Sequence, residues 1–206
     1  MQLTDGFTFA YRALLESIVD RDTESMKEML EPTIRSDFLE ELNNLESNEI
    51  QLELINEQNA TFKCELYDLR IIIGASVSRT ENKANRLGEF NFPGVRGSKL
   101  INVYMADLQH VQNMRKLEMN LEVIAKLRTN LKLNAIDKSG NALIPKQDYH
   151  DSELHMMRFE ANYKTIVFES ITTAFQQFRS PTDFSNIKEW IITDFDHTLK
   201  GNPHTG

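Results

Sequence analysis

The sequence predicts an α+β protein in which N-terminal helices pack on an antiparallel β-sheet. Two observations carry this prediction. Apolar residues recur every three or four positions from Phe7 to Leu45, which is the spacing of amphipathic helices. From Ile50 onward they alternate with polar residues, as in half-buried strands. Helices that precede a run of strands, instead of alternating with them, are typical of the α+β class.

Three helices are predicted in the first third of the chain. The first has an apolar stripe made of Phe7, Ala10, Tyr11, Leu14 and Ile18. Asp22 or Thr23 can cap a short second helix. Pro32 fits the first turn of the third helix, because a missing N–H has no partner to lose there. The stripe of that helix consists of Ile34, Phe38, Leu42 and Leu45.

The clearest strand pattern runs from Leu121 to Ile136, where apolar and polar residues alternate. Turn-forming residues follow at Asp137–Asn141. A second alternating stretch, Leu154–Phe168, is predicted to return beside the first as an antiparallel neighbour. A last strand is predicted over Ile187–Asp196.

The composition is that of an ordinary globular protein with an uneven charge. The chain has 206 residues and a net charge of −8, and fourteen acidic residues but only four basic ones precede Thr61. This acidity argues against a general affinity for nucleic acid. We interpret it as a set of solvated helix faces. The single cysteine, Cys64, rules out an internal disulfide and fits a reducing compartment. No secretory signal is visible, and the N-terminus is too acidic for a mitochondrial presequence.

The stretch D-F-D-H-T, Asp194–Thr198, resembles the nucleophile motif of the haloacid-dehalogenase phosphatases. That chemistry requires the first strand of a parallel sheet with most of the domain still to follow. Only ten residues follow Asp196, so we interpret the motif as coincidental. Both aspartates are expected at the end of the last strand, with Asp194 half buried. No catalytic residue, metal site or cofactor is predicted.

The segment 81–116 matches neither pattern and is predicted to be an insertion. It contains F-N-F-P-G-V-R-G-S-K, in which aromatic residues lie beside glycines and a proline. A long polar segment in a small domain is typical of a binding loop. The candidate partner contact therefore consists of Phe90, Phe92, Pro93, Val95 and Arg96.

A second candidate surface is the polar face of the two long strands. Lys126, Arg128 and Lys132 share one parity, and Lys164 is expected across the hairpin. These cations could meet an acidic partner, a lipid headgroup or RNA phosphates. No aromatic residues are interleaved with them, so specific RNA recognition is unsupported. A solvated sheet face is the favoured interpretation.

Phe9–Pro32, which reads F-A-Y-R-A-L-L-E-S-I-V-D-R-D-T-E-S-M-K-E-M-L-E-P, resembles the start of the Tim-forty-four-like domain family. The strand Leu121–Ile136, its return and a last strand with Trp190 are also similar to that family. The resemblance implies a cone-like, cystatin-type fold, in which a curved antiparallel sheet surrounds an apolar pocket. It implies a single domain over residues 1–206 with a flexible tail at 197–206. Members of the family lie on the matrix side of the mitochondrial inner membrane.

Under this resemblance the expected function is that of a non-catalytic accessory subunit of a respiratory complex or ATP synthase. Its partners would be other subunits, with peripheral contact to the membrane and no direct binding of nucleic acid. One alternative is an adaptor of the protein-import motor or the mitochondrial ribosome. The other is a pocket enzyme that uses His155, since His155 lies on the apolar face of its strand. A carboxylate neighbour of His155 would favour the enzyme.

Overall fold

The computed structural model describes residues 3–74, 86–91, 116–142, 151–167, 187 and 189–196. Three helices come first, namely α1 (Leu3–Asp20), α2 (Thr23–Met29) and α3 (Pro32–Ser47). The strands of these ranges are β1 (Gln51–Ile55), β2 (Phe62–Gly74), β3 (Arg86–Asn91), β4 (Lys116–Thr129), β5 (Lys132–Ile136), β6 (Glu153–Val167) and β7 (Ile191–Phe195). The helices pack on antiparallel sheets, which confirms the predicted α+β class.

The strands form two sheets. β1 pairs with β5 in a two-stranded antiparallel sheet, with Leu54 opposite Leu133. The other strands form a five-stranded sheet in the order β3-β2-β4-β6-β7. The order places β6 beside β4, so these parts of the two predicted neighbours are adjacent, whereas β5, which directly precedes the predicted turn, pairs with β1 instead. None of the helices in these described ranges is long and apolar enough to cross a membrane.

α2 and α3 begin where the sequence predicts, whereas α1 begins four residues before Phe7, at Leu3. Asp22 caps α2, because its carboxylate accepts the backbone N–H of Ser25 at 3.1 Å. Pro32 occupies the first turn of α3, where the Glu31 carboxylate accepts the backbone N–H groups of Thr33 and Ile34. Such caps satisfy donors that have no partner inside the helix. The buried stripe of α1 contains Phe7, Tyr11, Leu14, Leu15 and Ile18.

The stretch predicted as one strand, Leu121–Ile136, is two strands. β4 ends at Thr129 and β5 begins at Lys132 in the other sheet. Polar side chains cause the break. The Thr129 hydroxyl accepts the N–H of Leu131 at 3.0 Å. The Asn130 side chain accepts the N–H of Thr61 at 2.7 Å and ties the junction to the turn before β2.

The junction between α2 and α3 is attached to the last strand. Leu30 forms an isolated parallel bridge with Ile192, and the Glu31 N–H donates to the Ile192 carbonyl at 3.0 Å. Both apolar side chains are buried. β7 is shorter than the predicted strand Ile187–Asp196, since it starts at Ile191.

The chain forms two compact units. The first contains Met1–Leu66, Ala125–Arg158 and Ile192–Gly206, and the second contains Tyr67–Ile124 and Phe159–Ile191. In the second unit the Arg70 guanidinium lies 2.7 Å from Asp68 and 3.7 Å from Glu122, and all three side chains are largely buried. Of the predicted insertion 81–116, residues 86–91 form β3 and Lys116 begins β4. The remainder of the insertion and the predicted tail 197–206 lie outside the described residues.

Candidate functional site

The strongest candidate site surrounds His155 in the first unit. β6 carries His155, α1 presents Tyr11, and Phe195 is the last residue of β7. The centroid of the imidazole lies 5.0 Å from that of the Tyr11 ring and 5.7 Å from that of the Phe195 ring. Its side chain is only 12% exposed. One titratable group on the apolar face of β6 is therefore enclosed between aromatic rings.

Asp196 supplies the carboxylate neighbour of His155. One of its oxygens lies 2.6 Å from the Nδ1 atom of His155, and the other accepts the backbone N–H of Met156 at 2.8 Å. The Asp196 N–H donates to the Met156 carbonyl at 2.8 Å. Asp196 has a φ of 47°, a left-handed conformation that aspartate tolerates better than most residues. This backbone turn aims the carboxylate back at β6.

The pairing with Asp196 selects one tautomer of the neutral imidazole. With Asp196 as acceptor, the neutral ring carries its proton on Nδ1 and has a lone pair on Nε2. Nε2 is buried and has no hydrogen-bond partner among the described residues. The nearest carboxylate oxygen to it belongs to Glu153, at 3.9 Å. A carboxylate-oriented histidine with a lone pair is the arrangement of a general base.

The phenol of Tyr11 is the second titratable group of this site. Its hydroxyl lies 3.4 Å from the Leu131 carbonyl, to which it donates. Burial raises the pKa of Tyr11, and the negative charges of Asp196 and Glu153 raise it further. The phenol therefore stays protonated at neutral pH. In the described part of the chain no three histidine, cysteine or carboxylate side chains are grouped to hold a metal ion.

Asp194 lies on β7, two residues before Asp196, and pairs with a different side chain. It was predicted to be half buried, and this is wrong, because the residue is 1% exposed. Its carboxylate lies 3.4 Å from the Arg158 guanidinium. A buried charge is stable only with such a partner. The two aspartates of D-F-D-H-T thus have different environments, since Asp196 is exposed at the rim.

The predicted cationic sheet face exists in part. The pKa of the Glu65 carboxyl is held below its usual range by neighbouring cations. Lys63 is the largest cause, and Lys126 and Arg128 contribute as well. Lys63 lies 2.7 Å from Glu65. We call Lys63, Lys126 and Arg128 the cationic sheet face.

This face lies on the side of the sheet opposite α1. The Phe62 ring contacts Tyr11, and the Cys64 thiol is hydrogen-bonded to Thr8 of α1. Because side chains alternate along a strand, Lys63 and Glu65 point the other way. Burial raises the pKa of Cys64 to about 11.

The prediction that Lys132 shares a solvated face with Lys126 and Arg128 is wrong. Lys132 is 5% exposed and its ammonium lies 2.9 Å from Glu153. β5 leaves the main sheet, which turns Lys132 inward. Lys164 lies in β6, but its side chain is outside the described set.

Of the candidate partner contact, Phe90 lies in β3 opposite Ile71. Phe92, Pro93, Val95 and Arg96 lie outside the described residues.

An open groove of about 640 Å³ lies elsewhere in the first unit, between the ends of α1, α3 and β5. Arg21 pairs with Glu46 in it, and Lys138 pairs with Glu49. Asp137 accepts hydrogen bonds from Ser139 and Asn141. The charged side chains of this groove are therefore satisfied by ion pairs and, for Asp137, by backbone N–H groups.

Phe9 is not among the site residues predicted from the sequence. It lies on α1 and is 67% exposed. Among the described residues, Phe9 and Leu154 are the two exposed large hydrophobic residues, and Leu154 is 49% exposed. An aromatic residue outside the apolar stripe of an amphipathic helix was the available signal.

No protein-family model matches the sequence, and no curated protein matches it.

Proposed function

We propose that this chain is a non-catalytic interaction module, an accessory subunit of a larger protein assembly. One observation supports this best, the separation of opposite charges in the first unit. The helical part is acidic, and three of its four cations, Arg12, Arg21 and Lys27, are already bound to acidic side chains. The cationic sheet face lies on the other side of the sheet, and of its three cations Lys63 is likewise bound to an acidic side chain, Glu65.

Two faces of opposite charge suit a protein that touches two different neighbours. Complementary charge directs encounter and excludes wrong partners. An enzyme of this size would be expected to reserve an open pocket for its titratable groups. Here the buried histidine is instead enclosed by rings that belong to α1 and β7.

The assembly we propose is one of the mitochondrial inner membrane, on its matrix side, such as a respiratory complex or ATP synthase. This part rests on the resemblance of Phe9–Pro32 and the strand pattern to the Tim-forty-four-like domain family. An adaptor of the import motor or of the mitochondrial ribosome is the alternative assembly with the same chemistry of contacts.

A native gel of mildly solubilised mitochondria, analysed band by band by mass spectrometry, tests this proposal. Migration with a respiratory or ATP-synthase band supports the accessory subunit. Migration with ribosomes or the import machinery selects the adaptor. A chain that runs alone at its monomer or dimer mass contradicts the proposal.

The pairing of His155 with Asp196 favours one second candidate, an enzyme in which His155 is the general base. That function requires a small molecule to reach Nε2. Diethyl pyrocarbonate modifies accessible imidazole nitrogens, so mapping of the modified histidines by mass spectrometry discriminates the two functions. Modification of His155 at a rate close to that of N-acetylhistidine would support the enzyme. Protection that is lost in Phe195→Ala would support a structural histidine.

A further inference from the structure

We propose that Lys132 and His155 form a binding site for the carboxylate of a small organic acid, and that the side chain of Glu153 closes this site when no ligand is bound. The inference goes beyond the accessory function and does not depend on it, because it rests on one group of contacts inside the first unit. We call Lys132, Glu153 and His155 the carboxylate site.

The Glu153 carboxylate lies between two nitrogen atoms. One of its oxygens lies 2.9 Å from Nζ of Lys132, and the other lies 3.9 Å from Nε2 of His155. The side chains of Lys132 and His155 are largely buried, whereas 49% of the Glu153 side chain is exposed. A carboxylate that reaches two buried nitrogens from the protein surface can leave them for water, and a ligand can enter by the same route.

Glu153 fits the carboxylate site only in part. It is the first residue of β6, two residues before His155 and on the same face of the strand, so its backbone limits where the carboxylate can lie. A separation of 3.9 Å is too long for a hydrogen bond, and the buried Nε2 has no hydrogen-bond partner among the described residues. A carboxylate that is not attached to β6 can approach both nitrogens closely. The additional hydrogen bond favours such a ligand over Glu153.

The contacts of the site select an acid as the ligand. The Lys132 ammonium is buried, so a group that displaces Glu153 must also bring a negative charge. The same ammonium repels a metal cation. The body of the ligand takes the place of the Glu153 methylene groups, beside the Tyr11 ring that lies 5.0 Å from the imidazole. A short aliphatic carboxylic acid is therefore the chemical class that fits.

Binding of the acid takes up one proton from the solvent. Asp196 accepts from Nδ1, so the neutral imidazole has a lone pair on Nε2 that would face the ligand oxygen. Only an imidazolium donates to Asp196 and to the ligand at once. The other titratable or charged groups around it in the described ranges are Glu153 on β6, Lys132 on β5 and Tyr11 on α1, whose phenol stays protonated because burial raises its pKa. The affinity should therefore fall as the pH rises from 6 to 8.

The binding test titrates the full chain with sodium propanoate and follows the amide chemical shifts of the ¹⁵N-labelled protein, which gives the Kd. Propionamide, which has nearly the same shape but no charge, is the control ligand. We expect propanoate to bind and propionamide not to bind. The Kd of propanoate should be higher at pH 8 than at pH 6, a dependence that the filling of an apolar cavity would not give.

Three variants separate the roles of the residues. Glu153→Ala removes the competing carboxylate, so the Kd should fall roughly tenfold or more, because apparent affinity is reduced by the fraction of closed sites. Lys132→Met should abolish binding and still fold, since apolar replacement of a buried ion is tolerated and the exposed Glu153 stays hydrated. Glu65→Ala is the matched control. It removes a carboxylate that lies 2.7 Å from Lys63, but that lysine is 73% exposed, so the Kd should not change.

Equal binding of propanoate and propionamide would overturn the inference, because the site would then select shape and not charge. Binding that Lys132→Met retains would overturn it too, as would failure of both the wild type and Glu153→Ala to bind propanoate. A Kd that is the same at pH 6 and pH 8 would exclude His155 from the site and contradict the proposed pair. If Glu153→Ala does not fold, the comparison of the wild type with Lys132→Met decides.

Discussion

Asp196 joins the end of β7 to β6 through one side chain and one backbone turn. Its carboxylate accepts from Met156 and His155, while its φ of 47° is unfavourable for most other residues. Left-handed conformations of this kind cost on the order of 1–3 kcal/mol and persist where surrounding contacts require them. The position therefore shows where the structure depends on one residue type.

Asp196→Ala should lower the free energy of unfolding by about 2 kcal/mol, because it removes both hydrogen bonds and leaves a residue that tolerates positive φ poorly. Asp196→Asn keeps an acceptor and tolerates the conformation, so about 1 kcal/mol is expected. Urea unfolding measures both, with exposed Asp151→Asn as control. Equal losses for alanine and asparagine would show that neither the acceptor oxygen nor the tolerance of positive φ, which asparagine retains, contributes to stability.

Tyr11 gives the site a dependence on alkaline pH. Its pKa in the folded chain is raised above the ordinary 10.0 by burial and by the charges of Asp196 and Glu153. Its contribution to stability is therefore complete below pH 10 and is lost as the pH rises above that value. Above pH 10 the free energy of unfolding of Tyr11→Phe should therefore fall less steeply with pH than that of the wild type.

The measurement is urea unfolding between pH 8 and pH 11, monitored by fluorescence, together with tyrosinate absorbance. The difference in stability between wild type and Tyr11→Phe should be constant up to about pH 10 and then shift against the wild type. A difference that stays constant through the whole range would mean that the phenol ionises in the folded chain as freely as in the unfolded one.

At the scale of elements, the junction between β4 and β5 is fixed by Asn130. Its side-chain oxygen accepts from the backbone and hydroxyl of Thr61, and its carbonyl accepts from the Asn56 side chain. Asn130→Ala should lower the free energy of unfolding by about 1–2 kcal/mol, because a backbone N–H loses its acceptor. Thermal or urea unfolding measures it.

Asn43→Ala, on the exposed side of α3, is the matched control. It removes the same atoms from a helix, where alanine is favoured, so no loss is expected. If Asn130→Ala were equally neutral, the break between the two strands would be set by something other than these hydrogen bonds.

Local patterns predicted the helices and failed at this junction for a physical reason. The helical repeat and the caps at Asp22 and Pro32 act within a few residues, so the sequence displays them directly. The alternation of leucines keeps the same parity on both sides of Asn130, so a break in the strand leaves no trace in the pattern. The inward turn of Lys132 followed from that break and was missed with it.

The sequence indicated that a carboxylate neighbour of His155 would be informative, but it did not identify Asp196 as that neighbour. The apolar parity of β6 indicated that His155 lies on the inner face of its strand, and its side chain is 12% exposed. Its partner is 41 residues away in the chain, and only the adjacency of β6 and β7 in the sheet brings them together. Sequence periodicity gives the face of a residue but not its cross-strand neighbour.

At the scale of the whole molecule, charge is the dominant feature. The net charge is −8, with most of the excess in the helical part. Self-repulsion of like charges lowers the stability of a folded chain and is screened by salt. The Tm of the isolated chain should therefore rise as NaCl increases from a few millimolar to about 0.15 M, where the Debye length falls to about 8 Å.

Differential scanning calorimetry measures this, and choline chloride at the same ionic strength distinguishes screening from binding of sodium. A fall in Tm with salt would show that the surface ion pairs, such as Arg12 with Glu16, contribute more than the excess of negative charge takes away.

The central claim is that the chain is a permanent subunit of a larger assembly. Absolute quantification of this chain by mass spectrometry in an affinity-purified, salt-washed respiratory or ATP-synthase complex tests it most directly. We expect a fixed whole-number ratio of this chain to the core subunits, and this ratio should survive the wash. A chain that is substoichiometric, or that washes away and sediments alone, would contradict it.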